Sequence, residues 1–108
     1  MGLFENPFPD PSLVAQIGVK KHRELARQAV RESLVLLKNK DEILPLSKNT
    51  KKIVVVGEHA NSSGLQSGGW TINWQGTADN YKGSSTILDG IKSQSNGEVI
   101  YDKNATGK

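Results

Sequence analysis

Two tryptophans, Trp70 and Trp74, stand four residues apart in Gly68-Gly69-Trp70-Thr71-Ile72-Asn73-Trp74-Gln75-Gly76, and they are the only two in the 108-residue chain. Tryptophan presents a large rigid π-face at low rotamer cost, and its N–H can donate one hydrogen bond. Paired glycines let the backbone take positive φ or approach another surface closely. An aromatic plate beside the amides of Gln66, Asn73 and Gln75 suits a sugar ring, whose C–H face stacks while its hydroxyls are hydrogen-bonded. The plainer reading, which composition alone favours, makes both indoles core anchors that pin a long loop.

Other residues with chemical potential form weaker patterns. Gly57-Glu58-His59-Ala60-Asn61-Ser62-Ser63-Gly64 follows an apolar run, but it is neither G-x-G-x-x-G nor a loop ending in G-K-[ST]. Glu58 and His59 are adjacent enough for acid/base or metal work. The only other histidine of the two, His22, lies in a charged helical stretch, so a zinc site would need carboxylates that no spacing supplies. Ser67 with His59 lacks the G-x-S-x-G elbow of a hydrolase. With no cysteine in the chain, a disulfide framework, a thiolate zinc site and a cysteine nucleophile are excluded.

The elements that must position the tryptophans are legible on either side. Ile53-Val54-Val55-Val56-Gly57 reads as a strand buried on both faces, as in parallel sheets covered by helices. A glycine at its C-terminal end is where such sheets carry ligand-facing loops. The 26 residues between Gly57 and Ser84 have no convincing periodicity, and loops beyond about 12–15 residues are usually functional or disordered. Ser84 is the expected cap of a helix running to about Ser93, Asn96-Gly97 a turn, and Val99-Ile100-Tyr101 a second strand. Strand, long loop, helix and strand make a βαβ unit, so the fold class is α/β.

Upstream, Phe4-Glu5-Asn6-Pro7-Phe8-Pro9-Asp10-Pro11-Ser12 carries three of the four prolines and reads as an extended strap. Its two phenylalanines need cover, from a partner surface or from their own domain. Ser12 is the expected cap of a short helix to Gly18. Lys20 to Glu32 shows an apolar face at Leu25, Ala26, Ala29, Val30 and Ser33, with charges opposite. Ser33 to Lys38, containing Leu34-Val35-Leu36-Leu37, is read as a buried strand, although a last helical turn fits the same run. Leu44-Pro45-Leu46 reads as a connector.

Composition bounds the partners. Net charge is +3, with ten Lys/Arg and six Asp/Glu in residues 1–54 against four and five in 55–108. The basic excess is interleaved with Glu24, Gln28 and Glu32, the pattern of a solvated helix face rather than of a nucleic-acid site. No apolar run approaches the ~18–20 residues that span a membrane. Residues 1–5 lack the regions of a signal peptide, which leaves a cytosolic chain or a start further upstream. At 35% apolar with 11 glycines, the chain is close to ordinary globular composition, and its size gives only marginal stability.

The segment His22-Arg23-x-Leu25-Ala26-Arg27-x-Ala29, continuing through Ser33-Leu34-Val35-Leu36-Leu37-Lys38-Asn39 to Leu44-Pro45-Leu46, resembles glycoside hydrolase family 3 at the start of its second, α/β-sandwich domain. Val56-Gly57-Glu58-His59-Ala60 and Gln66 through Gly76 resemble its β-glucan exohydrolase and exo-β-glucosidase branch. Gly2-Leu3-Phe4-Glu5-Asn6-Pro7 is similar to the segment that leaves the family's barrel domain. The resemblance implies a partial α/β sandwich with a mainly parallel, helix-flanked sheet. Residues 1–19 would be a strap from the barrel, and 20–108 the N-terminal portion of the sandwich domain. It implies a retaining β-glycosidase acting on a β-glucoside or β-glucan oligosaccharide, with no cofactor or metal and with the remainder of the enzyme as partner. Relatives of this kind are generally secreted or periplasmic.

By the resemblance, the nucleophilic aspartate belongs to the barrel and the acid/base glutamate lies beyond residue 108, so no catalytic residue is assigned and Glu58 is not promoted to one. Trp74 forms one side of an aromatic clamp at the leaving-group subsite, and Trp70 supports the loop with a secondary contact. Ser67 stands where plant members often have cysteine. The chain is expected to be a partial product, a split reading frame or a proteolytic piece, ordered chiefly when docked on the rest of the enzyme. The contrasting reading is a stand-alone, non-catalytic carbohydrate- or nucleotide-binding α/β module.

Overall fold

The computed structural model describes residues 2–107 and divides into two compact units, Met1–Asp41 and Glu42–Lys108. In the first, the proline-rich strap leads into a 3-10 helix, Pro11–Gln16. Asp10, not Ser12, caps it: the Asp10 carboxylate accepts the Ser12 N–H at 2.9 Å. Pro11 then fills the first helical position, where its missing N–H costs nothing. Phe4 and Phe8 are both exposed, so neither folds back into a core of its own unit.

Helix α1 spans Lys20–Ser33. Its start lacks a side-chain cap, but Arg23 Nε reaches back to the Gly18 carbonyl at 2.8 Å. Lys20–Glu24 and Gln28–Glu32 pairs on the polar face support it at the i, i+4 spacing. The apolar face is real but uncovered, for no residue of the helix is buried. The strand expected over 33–38 does not form. The chain leaves α1 at Leu34 in extended geometry, yet no β-ladder includes it, and Leu34 to Leu37 are all exposed. Strand propensity is realised only against a neighbouring backbone, and the sheet of the described residues has two strands, both elsewhere.

The second unit is the βαβ core. Strand β1 (Lys52–Val56) pairs in parallel with β2 (Glu98–Asp102), with Val54 opposite Ile100 and Val55 opposite Tyr101. Between them lie helix α2 (Ser63–Ser67) and helix α3 (Ile87–Gln94). Val55 and Leu88 are the buried apolar side chains, at 9% and 2% exposure. Side chains alternate along a strand, so Ile53 and Val55 share the face toward α3, where Ile53 and Ile91 line one hollow. Val54 and Val56 point the other way and are exposed, which corrects the expectation of a strand covered on both faces. The run of four β-branched residues marks a strand with two apolar faces, of which this chain covers one.

The cap of α3 is Thr86 rather than Ser84. Thr86 Oγ1 accepts the Asp89 N–H at 3.1 Å while Asp89 Oδ2 accepts the Thr86 N–H at 2.9 Å, a reciprocal capping box. The Thr86 backbone N–H, and after it the Thr86 side chain, hold the Asp89 carboxyl below its ordinary range. At the other end, Asn96 N–H donates to the Lys48 carbonyl and Glu98 N–H to Lys51. Gly97 is needed there because a β-carbon would run into the carbonyls of Thr50 and Lys51.

Candidate functional site

The loop that leaves the C-terminal end of β1 is tied by hydrogen bonds at its base and at its tip. Gly57 N–H donates to the Asp102 carbonyl at 3.1 Å and Tyr101 Oη to the Gly57 carbonyl at 3.2 Å, fixing the exit of both strands. A 3-10 turn, Glu58–Asn61, and α2 follow, two short elements that carry too few residues to show a period in sequence.

Hydroxyls rather than apolar side chains form the base of the loop. Ser62 Oγ accepts the Leu65 N–H at 3.0 Å, capping α2, and donates to the Ala78 carbonyl at 2.7 Å. Ser63 N–H donates to Asn80 Oδ1 at 2.7 Å, and its Oγ accepts the Tyr81 N–H at 2.9 Å. Ser84 Oγ lies 2.7 Å from Ser63 Oγ and 2.6 Å from the Tyr81 carbonyl, which is where the residue expected to cap α3 is employed. Gly64 N–H donates to the Asp79 carbonyl at 3.2 Å. Ser62, Ser63 and Thr86 are accordingly the buried polar residues. The outgoing limb (61–67) and the returning limb (77–84) are thus stitched together across 16 to 21 residues of sequence.

The tip carries the tryptophans. The Trp70 backbone N–H donates to the Trp74 carbonyl at 3.1 Å, and Asn73 Oδ1 accepts the Gly76 N–H at 2.6 Å. Gly76, at φ +80°, approaches the Gly68 backbone so closely that a side chain there would collide with it. The indoles are paired, ring centroids 4.3 Å apart with planes tilted by 46°. Both face solvent, Trp70 at 78% and Trp74 at 68% exposure, so neither is a core anchor. Trp70 and Ile72 have φ of 61° and 64°, a left-handed conformation that is uncommon for any residue with a β-carbon and rarer for a β-branched one. Beside the tip, an open hollow of about 370 Å³ is lined chiefly by Gly64, Leu65, Gly68, Gln75, Gly76 and Thr77.

The amides divide by role. Gln66 Nε2 donates to the His59 carbonyl at 2.6 Å and Asn73 is spent on Gly76, so both hold the loop together. The Gln75 amide makes no hydrogen bond among the described residues. Ser67 Oγ donates to the Ser63 carbonyl at 2.8 Å, one turn back on its own helix, and is not paired with His59. Glu58 lies 2.7 Å from Lys103 Nζ. That ammonium, as hydrogen-bond donor and then as charge, holds the Glu58 carboxyl below its ordinary range, the opposite of what a general acid needs. Among the described residues no three His, Asp or Glu side chains cluster as a metal site would require. Sequence reasoning missed Ser63 and Tyr81, whose hydroxyl and backbone partners lie at separations with no periodic signature, and the positive φ of Ile72.

A parallel βαβ unit whose strand-end loop turns two indoles to solvent defines an α/β domain. The model of the glycosyl hydrolase family 3 C-terminal domain matches residues 34–106, and the chain belongs to that family. It is 39% identical over 101 residues to a lysosomal beta glucosidase of Dictyostelium discoideum, covering 89% of this chain and 12% of that protein. A xylan 1,4-beta-xylosidase of Xylanibacter ruminicola is 36% identical over 92 residues, covering 79% of this chain and 10% of the relative. Among solved structures, the exo-1,3/1,4-beta-glucanase of a Pseudoalteromonas species superposes with a TM-score of 0.72 at 37% identity, over 82% of this chain and 12% of that one. The chain therefore spans roughly an eighth of the relatives that it matches.

Proposed function

We propose that the chain is a segment of a retaining β-glucosidase or exo-β-glucanase that hydrolyses β-linked glucosides from the non-reducing end, and that its tryptophan loop walls the leaving-group (+1) subsite. The observation that carries this reading is the solvent-facing indole pair on a hydrogen-bonded loop, in a chain of this family. Trp74 stacks on the leaving-group sugar. Trp70, whose backbone N–H holds the Trp74 carbonyl, supports that plate and adds a secondary contact. Gln75, with its amide uncommitted, is the polar group placed to meet a sugar hydroxyl. Residues 1–19 act as the strap from a barrel domain and residues 20–108 as the opening portion of the α/β sandwich, with the terminal Met1 and Lys108 outside the described residues.

The reaction is a double displacement between two carboxylates ~5–5.5 Å apart. Both come from the rest of the enzyme; this segment binds and orients. Stacking is realised in the ground state and the transition state only when the leaving group is a sugar, so the loop governs which leaving groups are held. In the enzyme that contains this segment, Trp74→Ala should lower kcat/KM for a β-linked glucose disaccharide roughly three- to tenfold more than for a small activated aryl β-glucoside, as one lost aromatic contact would. Equal losses on both substrates would remove Trp74 from the subsite. Quenching of tryptophan fluorescence by cellobiose or laminaribiose in the 108-residue chain alone would instead favour the stand-alone binding module.

A further inference from the structure

The tip of the tryptophan loop holds two left-handed residues, Trp70 and Ile72, on either side of Thr71. That conformation is disfavoured for an L-residue, most of all for a β-branched one, so the tripeptide needs external restraint. Thr71 supplies the point of attachment. Its carbonyl accepts two donors, the Asn73 N–H at 2.7 Å across Ile72 and the Tyr81 Oη at 3.2 Å from the returning limb, and its own hydroxyl donates to the Ser67 carbonyl at 3.4 Å. Tyr81 is itself fixed at its base, where its N–H donates to the buried Ser63 hydroxyl and its carbonyl lies 2.6 Å from Ser84 Oγ. Its half-buried ring therefore spans the distance from the hydroxyl base to the strained tip. Among the described residues, its phenol is the only side-chain group of the returning limb hydrogen-bonded to the 70–72 tripeptide.

We propose that Tyr81 is a positioning residue for the indole pair: its phenol, through the Thr71 carbonyl, holds Trp70 and Ile72 in their left-handed conformations and so keeps Trp70 against Trp74. The value of this strut for leaving-group selection rests on the subsite reading above, whereas its effect on the pair does not. Tyr81→Phe deletes the oxygen and keeps the ring. Two indoles 4.3 Å apart and tilted couple excitonically, and the resulting circular-dichroism couplet reports their geometry directly.

In the 108-residue chain, which has no other tryptophan, Tyr81→Phe should reduce that couplet by shifting the pair about threefold toward open forms, the lower range for one neutral hydrogen bond. Amide circular dichroism should be unchanged. Adding Ile72→Gly, which tolerates positive φ without restraint, should restore part of the couplet in the Tyr81→Phe background. A full couplet in Tyr81→Phe, absence of a couplet in the unmodified chain, or failure of Ile72→Gly to restore any of it would each overturn the proposal. In the enzyme containing this segment, Tyr81→Phe should also raise KM for the disaccharide with little change in kcat on an aryl glucoside. If Trp74→Ala shows no disaccharide selectivity while the couplet still depends on Tyr81, the subsite reading fails and the strut stands.

Discussion

Glu58 and Lys103 face each other across 2.7 Å, tying the segment that leaves β1 to the segment that leaves β2. The two groups shift in opposite directions. Lys103 as hydrogen-bond donor and charge lowers the Glu58 carboxyl, and Glu58 in turn raises the Lys103 ammonium. A depressed acid contributes above its unfolded value and loses that contribution as pH falls through its folded one. A raised base contributes below its unfolded value and loses it as pH rises through its folded one. The pair therefore acts across the neutral range and dissolves at both extremes. A carboxyl-detected NMR titration should find Glu58 titrating below an ordinary glutamate, and Lys103→Met should return it to the ordinary range. High salt should weaken the shift, because both side chains are exposed. An unchanged Glu58 titration in Lys103→Met would refute the pairing.

Two glycines, one inside α3 and one just past its end, offer a contrast in substitutions. Gly90 has open space where a β-carbon would go, so Gly90→Ala should stabilise the chain by about 0.5–1 kcal/mol through helix propensity. At Gly97 the same methyl meets the carbonyls of Thr50 and Lys51, and Gly97→Ala should destabilise by about 1–3 kcal/mol as the turn is pushed from β1. Denaturant midpoints of the two variants should move in opposite directions. A shared sign would mean that the 95–97 turn does not pack as described.

Thr86→Ala should cost about 1 kcal/mol, the usual worth of a helix N-cap, since it strips the Asp89 N–H of its partner inside a buried site. Ser84→Ala should leave α3 intact and loosen the loop instead. Amide hydrogen exchange separates the two. Faster exchange across 87–90 belongs to Thr86→Ala, and faster exchange at Tyr81 to Ser84→Ala. Loss of α3 protection in Ser84→Ala would return the cap to that residue.

Apolar surface left bare in each unit predicts self-association of the isolated chain. Val54 and Val56 form the uncovered face of β1, and Leu34 to Leu37 are exposed along an extended run. Sedimentation velocity should show concentration-dependent species, reduced by Val54→Lys with Val56→Thr and separately by a charge placed in the extended run, such as Leu36→Lys. A single ideal monomer at all concentrations would contradict this.

The parts of the fold legible in sequence are those written by neighbouring residues. Ile53 to Val56 mark β1 because four β-branched residues leave little alternative, and the charge-and-apolar alternation of 20–33 marks α1 to within one residue. Sequence misleads where a partner decides. Leu34 to Leu37 has strand composition but no adjoining backbone to pair with in this sheet. Ser84 and Thr86 are equally good caps by type, and only the reciprocal acid at Asp89 distinguishes them. The tryptophans stand out as the chemical centre, yet whether they face in or out does not, because burial depends on which limb closes over them. The hydroxyl base that decides it pairs Ser62 with Ala78 and Ser63 with Asn80 and Tyr81, contacts with no periodic trace in the chain.

That hydroxyl base gives the tryptophan loop a thermal behaviour unlike that of an apolar anchor. Hydrophobic burial loses strength on cooling, because its driving force near room temperature is entropic. The bonds from Ser62, Ser63 and Ser84 are directional contacts between small polar groups, and they hold their geometry as the temperature falls. A loop fastened in this way keeps its indoles presented in the cold, where one seated on aliphatic side chains would begin to slacken.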